Sequence, residues 1–305
     1  MNKFRIFLFT ILSLVFFNAS NAASFNPKSK VITVVIPFAP GGGVDLTFRH
    51  LQKYADTKGV EMVATYKAGA DGLIGMNELA TSPKDGYTVS VGTMGTVAVH
   101  RLKNPNSDIV PLTGIRESIT AFVTPAKSSI KSIDDLESQI RIHSNINFGY
   151  GAPGQKMVLE ELINQTKTKI PQVLVPYKGG GPVVNELAGG HIDFAALPLS
   201  IVKGHIDAGT VRIVAIGGRG NINIYPDVPS INKRYPGWQD FDGFAFIVPG
   251  DTNPDAVEFW NKFIQEYMKD PQVQKDFTTE LNNILPFGKE HAEKMIQGSM
   301  RKLKE

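Results

Sequence analysis

Residues 32–45 read ITVVIPFAPGGGVD, which is the order expected of a buried strand, a glycine turn and the start of a helix. The apolar run is short and rich in β-branched residues, as in a strand that is covered on both faces. Pro37 and Pro40 end the strand, and the three glycines allow backbone angles that are closed to other residues. Asp45 opens a segment with helical spacing of apolar residues. Such a turn points free N–H groups beyond the strand end, where the helix dipole attracts anions.

The same order of strand, turn and helix recurs along the chain. We predict further strands at residues 60–66, 87–91, 120–123, 146–150, 173–177, 192–197, 211–216 and 244–249, with an amphipathic helix after Asn253 and a last helix after Pro286. Alternating strands and helices predict an α/β fold in which mixed, mostly parallel sheets are flanked by helices. Two such sets indicate two lobes. We expect lobe 1 to comprise residues 23–123 and 237–305, and lobe 2 to comprise residues 124–236.

Four glycine turns precede predicted helices, at residues 41–43, 69–72, 151–154 and 179–181. Taken singly, each is more often a tight turn than a site, because α/β folds need glycines at these places. Ligands of open α/β sheets bind beyond the carboxyl ends of the strands, where all four turns fall. Together the turns favour binding of a small anion between the lobes.

The first 22 residues have the pattern of a secretory signal peptide. Lys3 and Arg5 precede an apolar run at residues 6–17, and small residues lead to a cleavage site near Ala22. The run is too short to favour the alternative of a membrane anchor. Removal of this segment lowers the formal charge from +3 to +1, which gives no argument for nucleic acid. With no cysteine in the chain, neither a disulfide nor a lipoprotein anchor can form. We expect a soluble periplasmic protein.

Motifs for several kinds of chemistry are missing from the sequence. The glycine turns lack the spacing of a dinucleotide site or a P-loop, and there is no nucleophile elbow. The six histidines show no metal-binding spacing; they are His50, His100, His143, His191, His205 and His291. We therefore predict no catalytic residues, no cofactor and no metal.

Several motifs, in order along the chain, resemble the Bug family, the TctC-like periplasmic substrate-binding proteins of tripartite tricarboxylate transporters. The matching segments are PFAPGGGVD at 37–45, KAGADG at 67–72, DGYT at 85–88, VPYKG at 175–179, GGHID at 189–193 and PDVP at 226–229. The resemblance implies a two-lobed Venus-flytrap fold of type II. It also implies that backbone groups hold a carboxylated ligand. The residues implied in binding are Ala39, Gly41, Gly42, Gly43, Asp45, Gly69, Ala70, Gly72, Gly151, Gly154 and Lys178.

The sequence departs from the family pattern near these turns. Ala68 and Asp71 stand where proline and glycine are usual, and Gln155 replaces a common Ser or Thr. We expect a less polar pocket than is usual, which disfavours a citrate-like ligand. Asp71 beside an anion lowers affinity unless a cation offsets it. We therefore expect a monocarboxylate, or an amino acid whose ammonium meets Asp45 or Asp71. The alternative for Asp45 is that it only caps its helix.

These features favour a non-enzymatic, monomeric receptor that closes on a small carboxylate and then docks on a membrane permease. A periplasmic sensor for a two-component system is the alternative. An exported hydrolase would need a nucleophile with an adjacent base, and the sequence offers none. A structural or adhesin-like surface domain would explain neither the glycine turns nor the two α/β sets.

Overall fold

The computed structural model describes residues 25–106, 108–142, 146–217, 225–238, 243–279 and 288–304. The predicted signal peptide and His143 lie outside the described residues. The strands are β1 Ile32–Ile36, β2 Met62–Tyr66, β3 Thr88–Thr93, β4 Ile109–Glu117, β5 Thr120–Pro125, β6 Asn147–Tyr150, β7 Val173–Pro176, β8 Phe194–Pro198, β9 Val211–Gly217 and β10 Gly243–Pro249. The helices are α1 Gly43–Thr57, α2 Leu73–Thr81, α3 Met94–Lys103, α4 Ile133–Ile142, α5 Pro153–Gln165, α6 Gly180–Gly189, α7 Leu199–Asp207, α8 Ile231–Arg234, α9 Pro254–Lys269, α10 Pro271–Thr279 and α11 Lys289–Lys302.

The strands form two five-stranded sheets of the same design. The first has the order β2-β1-β3-β10-β4 and the second has the order β7-β6-β8-β5-β9. In each sheet the first three strands are parallel, and the fourth, β10 or β5, is antiparallel to both of its neighbours. Four of the five strands therefore run in one direction. The prediction of a two-lobed α/β fold with mixed, mostly parallel sheets is confirmed.

The chain passes between the sheets twice. It leaves the first sheet after Glu117 and enters the second at Thr120; it returns between Gly217 and Gly243. The lobe boundary that we predicted near residue 124 thus falls inside β5, a strand of the second sheet.

Apolar side chains fill each lobe separately. In lobe 1, β1, α1 and β3 pack against β10 and α9. The aromatic face of α9 is core, as its spacing predicts: Trp260 and Tyr267 are fully buried, and the indole Nε1 of Trp260 donates to the Gly86 carbonyl at 3.0 Å. In the part of the chain that the structure describes, no helix combines the length and the hydropathy that are needed to cross a bilayer.

We did not predict β4, α3, α7, α8 or α10 from the sequence. Pro111 and Gly114 interrupt the strand pattern of β4, which pairs with β10 through two register shifts. The segment of α3 contains β-branched Thr96, Val97 and Val99, which have low helix propensity. Packing of α3 against α2 and α11 holds it as a helix despite this preference.

Candidate functional site

A small pocket, partly open to solvent, lies between the two lobes. Five helices begin at it, because its lining includes the first turns or N-terminal caps of α1, α3, α5, α6 and α7. The lining residues are Phe38, Gly42, Gly43, Val44, Thr93, Gly151, Ala152, Gln155, Gly180, Pro198 and Phe244. Backbone N–H groups of a first helical turn have no partner within the helix. The pocket is therefore a place where such donors from both lobes meet.

The first glycine turn, at residues 41–43, is held in place by Asp45. Gly41 has a φ of +81°, and its N–H donates to Oδ2 of Asp45 at 2.8 Å. The same oxygen accepts from Nε of Arg49 at 3.0 Å, and Oδ1 accepts from the Tyr66 hydroxyl at 2.7 Å. Asp45 is only 2% exposed, so its carboxylate is occupied by donors of the protein itself. The pKa of Arg49 is raised by this hydrogen bond, and the pKa of Tyr66 is raised by burial and then by Asp45.

The third and fourth turns form the wall that lobe 2 contributes. Gly151 packs so closely on the next turn that a Cβ there would lie 2.1 Å from the carbonyl carbon of Gly179. The N–H of Gly151 donates to Oε1 of Gln155 at 2.8 Å, which ties the turn to the start of α5. Gly180, the first residue of α6, completes this wall.

The lobes touch on both sides of the pocket. The N–H of Ala39 donates to the Lys178 carbonyl at 2.7 Å, and a Cβ on Gly181 would lie 3.1 Å from the carbonyl carbon of Gly41. On the other side, a Cβ on Gly95 of α3 would lie 2.9 Å from the backbone nitrogen of Gly154 in α5. These contacts place backbone against backbone, so the cleft is closed in this structure.

The second glycine turn, at residues 69–72, lies beside the pocket and is not among the residues that line it. Its four residues, Gly69 to Gly72, all have positive φ values. Gly72 packs against Thr96 and Phe38, where a Cβ would lie 2.6 Å from the Thr96 methyl group. Asp71 is exposed, and its charge, second to burial, raises the pKa of Tyr150 in lobe 2. Asp71 therefore stands at the rim of the cleft, facing lobe 2.

The structure thus brings three of the four predicted turns to one pocket. The predicted residues that line it are Gly42, Gly43 and Gly151. Ala39, Gly41, Gly154 and Lys178 form the contacts between lobes that flank it, and the side chain of Lys178 is exposed. Gly69, Ala70, Asp71 and Gly72 form the adjacent rim.

The sequence reading missed several lining residues. Thr93 caps α3, and its Oγ1 accepts from the N–H of Thr96 at 3.1 Å. A Thr two residues after the strand predicted at residues 87–91 was the available signal for this cap. Phe244 comes from β10, far along the chain from the turns, and nothing in the sequence pairs it with them. Gln155 was noted as a departure from the family pattern, but not as a site residue.

No charged side chain lines the pocket in the described part of the chain. Arg116 is fully buried behind two of the lining residues, Phe244 and Gly43. Its guanidinium stacks on the Phe244 ring at 4.1 Å and donates to the Gly43 carbonyl at 3.1 Å and, through Nε, to the Thr47 hydroxyl at 2.9 Å. Arg116 thereby supports both the first turn and one wall.

Metal binding has no support in the geometry. Among the residues with described positions, no three His, Asp or Glu side chains lie together in a way that could hold a metal ion. The arrangement instead suits an anionic group that accepts hydrogen bonds from helix starts.

Comparison with known proteins is consistent with this geometry. The sequence model of the family described as "Tripartite tricarboxylate transporter family receptor" matches residues 47–305. Protein BugT of Bordetella pertussis is 29% identical over 262 residues, which cover 83% of this chain and 80% of BugT. A solved structure titled "Structure of a periplasmic transporter" has a TM-score of 0.82 and 26% identity, covering 91% of this chain and 97% of that one.

A further solved structure is MatC from Rhodopseudomonas palustris with bound malate. It has a TM-score of 0.80 and 22% identity, and the match covers 90% of this chain and 98% of MatC. At this identity the likeness shows the two-lobed fold alone. The family match, by contrast, spans most of the chain and agrees with the motifs found in the sequence. The chain therefore belongs to the tripartite tricarboxylate transporter receptor family, whose members are substrate-binding receptors and not enzymes.

Proposed function

We propose that this chain is a periplasmic receptor that binds a small carboxylate between its lobes and delivers it to a tripartite tricarboxylate-type permease. One observation carries the proposal: the first turns of α1, α5 and α6, from both lobes, meet at one closable pocket. A helix start contributes about 0.3–1 kcal/mol to an exposed anion and up to about 2 kcal/mol in a partly buried site. Several such starts, with charge-assisted N–H bonds, can hold a carboxylate without an arginine in contact.

The walls of the pocket favour a ligand with few charges. Phe38, Val44, Pro198 and Phe244 are apolar, and the described lining residues carry no charge. A third carboxylate, as in citrate, would have to leave water with no cation in contact, which is unfavourable. We therefore propose a monocarboxylate, a dicarboxylate or an amino acid as the ligand. The bound malate of MatC supports a small carboxylate as the class.

An amino acid ligand would place its ammonium toward Asp71. Both oxygens of Asp45 already accept hydrogen bonds from the protein, whereas the Asp71 side chain is exposed at the rim. Asp71 is thus the carboxylate that we propose to offset the ligand's positive charge.

The direct test is to identify what the protein binds. Mass spectrometry of ligand that co-purifies with the protein gives a first candidate. Thermal unfolding and calorimetry with acetate, malate, adipate, glutamate and citrate then compare the classes. A true ligand at 100 times its Kd should add about 2.7 kcal/mol to the unfolding free energy. If none of these acids raised the Tm, the carboxylate assignment would fail. Tightest binding of citrate would refute the restriction to few charges.

A further inference from the structure

Gln155 is a polar side chain built into the wall of the pocket. It is the third residue of α5, it lines the pocket, and it is only 5% exposed. Its Oε1 accepts the N–H of Gly151 at 2.8 Å. Within the described part of the chain, Nε2 of the same amide has no hydrogen-bond partner.

The bond to Gly151 fixes which way the amide points. A backbone N–H can only donate, so the side-chain atom that faces it must be the oxygen. The NH2 group therefore points to the other side, beside the start of α6. Nε2 lies 3.4 Å from the position that a Cβ on Gly180 would take, and Gly180 also lines the pocket.

Nε2 is not among the buried polar atoms that lack a partner, so this atom is accessible from the pocket although most of the Gln155 side chain is buried. A ligand oxygen beside Gly180 could accept from Nε2 and also from the first turn of α6. An anionic oxygen is the strongest acceptor for this purpose. The donor is neutral and rigidly aimed, which distinguishes it from a flexible lysine or arginine.

We infer that Nε2 of Gln155 donates a hydrogen bond to an anionic oxygen of the ligand, and that Gln155 thereby determines specificity for the deprotonated acid. This inference rests on the proposed function. It adds a side-chain amide donor to a pocket at which the first turns of α1, α5 and α6 supply backbone donors.

The test compares Gln155→Glu and Gln155→Met with Gln52→Glu as a matched control. In Gln155→Glu, the carboxylate still accepts from the N–H of Gly151, but the NH2 donor is lost. In Gln155→Met, the side chain keeps a similar length and has no charge. Gln52 lies in α1, nine residues after Gly43 and about 13 Å along the helix axis, where Nε2 donates to the Met62 carbonyl. Calorimetry with malate, adipate and glutamate gives the affinities, and thermal unfolding checks that each variant folds.

We expect both Gln155 variants to raise the Kd about tenfold or more, as for loss of a hydrogen bond to a charged group. Gln52→Glu should stay within about twofold. The side-chain amide resonances of Gln155, assigned by their absence in the variants, should shift when the wild type binds. A purely structural glutamine would leave those resonances unmoved.

Two kinds of failure can be told apart. If the wild type binds an acid, but both Gln155 variants bind it as well as the control does, the inference is wrong and the proposed function stands. If the wild type binds none of the three acids, the proposed function fails for these probes and the inference fails with it.

Discussion

Asp45 is the residue on which the geometry of the first glycine turn depends. Its buried carboxylate accepts hydrogen bonds from Gly41, Arg49 and Tyr66. Asp45→Ala removes all three bonds at once and leaves the N–H of Gly41 without this acceptor. Loss of such a buried acceptor costs about 1–3 kcal/mol. We expect the unfolding free energy to fall by about that amount and the Kd for the ligand to rise, because the turn loses its order.

The control for this prediction is Asp56→Ala, a change in the same helix at an exposed aspartate. It should alter the unfolding free energy by no more than about 0.5 kcal/mol. Urea unfolding followed by circular dichroism measures both variants. Equal stability of the two variants would show that Asp45 does not organise the turn.

Substitution of Asp71 should distinguish the two proposed ligand classes, simple carboxylates and amino acids. Asp71→Asn removes a negative charge at the rim and keeps the side-chain size. We expect simple carboxylates to bind about two- to fivefold more tightly, because repulsion at a solvent-exposed site is modest. An amino acid should bind less tightly by a similar factor, because its ammonium loses a partner. Calorimetry with malate and glutamate measures both directions.

A matched control exists for this change too. Asp251 is exposed and also has a positive φ, of 53°, at the turn between β10 and α9. Asp251→Asn should leave both affinities unchanged. If Asp71→Asn shifted the two ligands in the same direction, Asp71 would not discriminate between them.

At the scale of single residues, the sequence was informative about backbone donors and less so about side chains. Glycine turns before helices are visible as a pattern, and Gly42, Gly43 and Gly151 do line the pocket. The role of Gln155 depends on which atoms meet its two amide ends, and those belong to different turns. Such pairings arise from tertiary packing, so no spacing of residues in the sequence indicates them.

At the scale of elements, the first turns of α3 and α5 meet beside the pocket. Gly95 in α3 meets Gly154 in α5, and a methyl group on Gly95 would lie 2.9 Å from the Gly154 nitrogen. Gly95→Ala should therefore hold the lobes apart without damage to α3, where Ala favours the helix over Gly by about 1 kcal/mol. We expect the Kd to rise at least about tenfold, with the Tm of the ligand-free protein unchanged or higher, because backbone contacts of this kind cannot yield.

Gly204→Ala is the corresponding control, because Gly204 lies in α7 with nothing within 4 Å of its added Cβ. It should gain helix stability and keep full affinity. Calorimetry of the two variants measures the Kd, and thermal unfolding measures the Tm. Full affinity in Gly95→Ala would mean that the ligand-bound lobes do not approach as closely as they do here.

An element could be predicted from the sequence where its local pattern and its tertiary packing favour the same structure. For the strand, turn and helix at residues 32–57, the sequence pattern and the packing favour the same structure, so their prediction is confirmed. The first turn of α3 contains Gly95 and Thr96, whose local preference is against a helix. It forms because it fits between α2, α5 and α11, and sequence spacing alone does not report that fit.

At the scale of the whole molecule, an ion pair joins the lobes away from the pocket. Lys302 in α11 donates to Glu161 in α5, and both side chains are mostly buried. The pKa of Glu161 is lowered chiefly by the hydrogen bond from Lys302, with burial acting in the opposite direction. Since the charged form is favoured in the closed state, the contact contributes fully above the ordinary pKa near 4.5. It is lost as the pH falls through the lowered pKa.

Lys302→Met should therefore weaken closure at neutral pH and matter less in acid. We expect the Kd at pH 7 to rise about two- to fivefold, the usual range for a pair that is worth up to about 1 kcal/mol.

Lys294→Met removes an equal charge from the same helix, but its partner Glu290 lies within α11, so this control should bind as the wild type does. The comparison of each variant with the wild type at pH 7 and at a pH below the lowered pKa of Glu161 cancels the protonation of the ligand itself, because both proteins meet the same acid. The radius of gyration from small-angle scattering should be larger for ligand-free Lys302→Met than for Lys294→Met at pH 7, and the two should converge at low pH as Glu161 is protonated. An identical radius and Kd for the two variants at pH 7 would show that the pair does not contribute to closure.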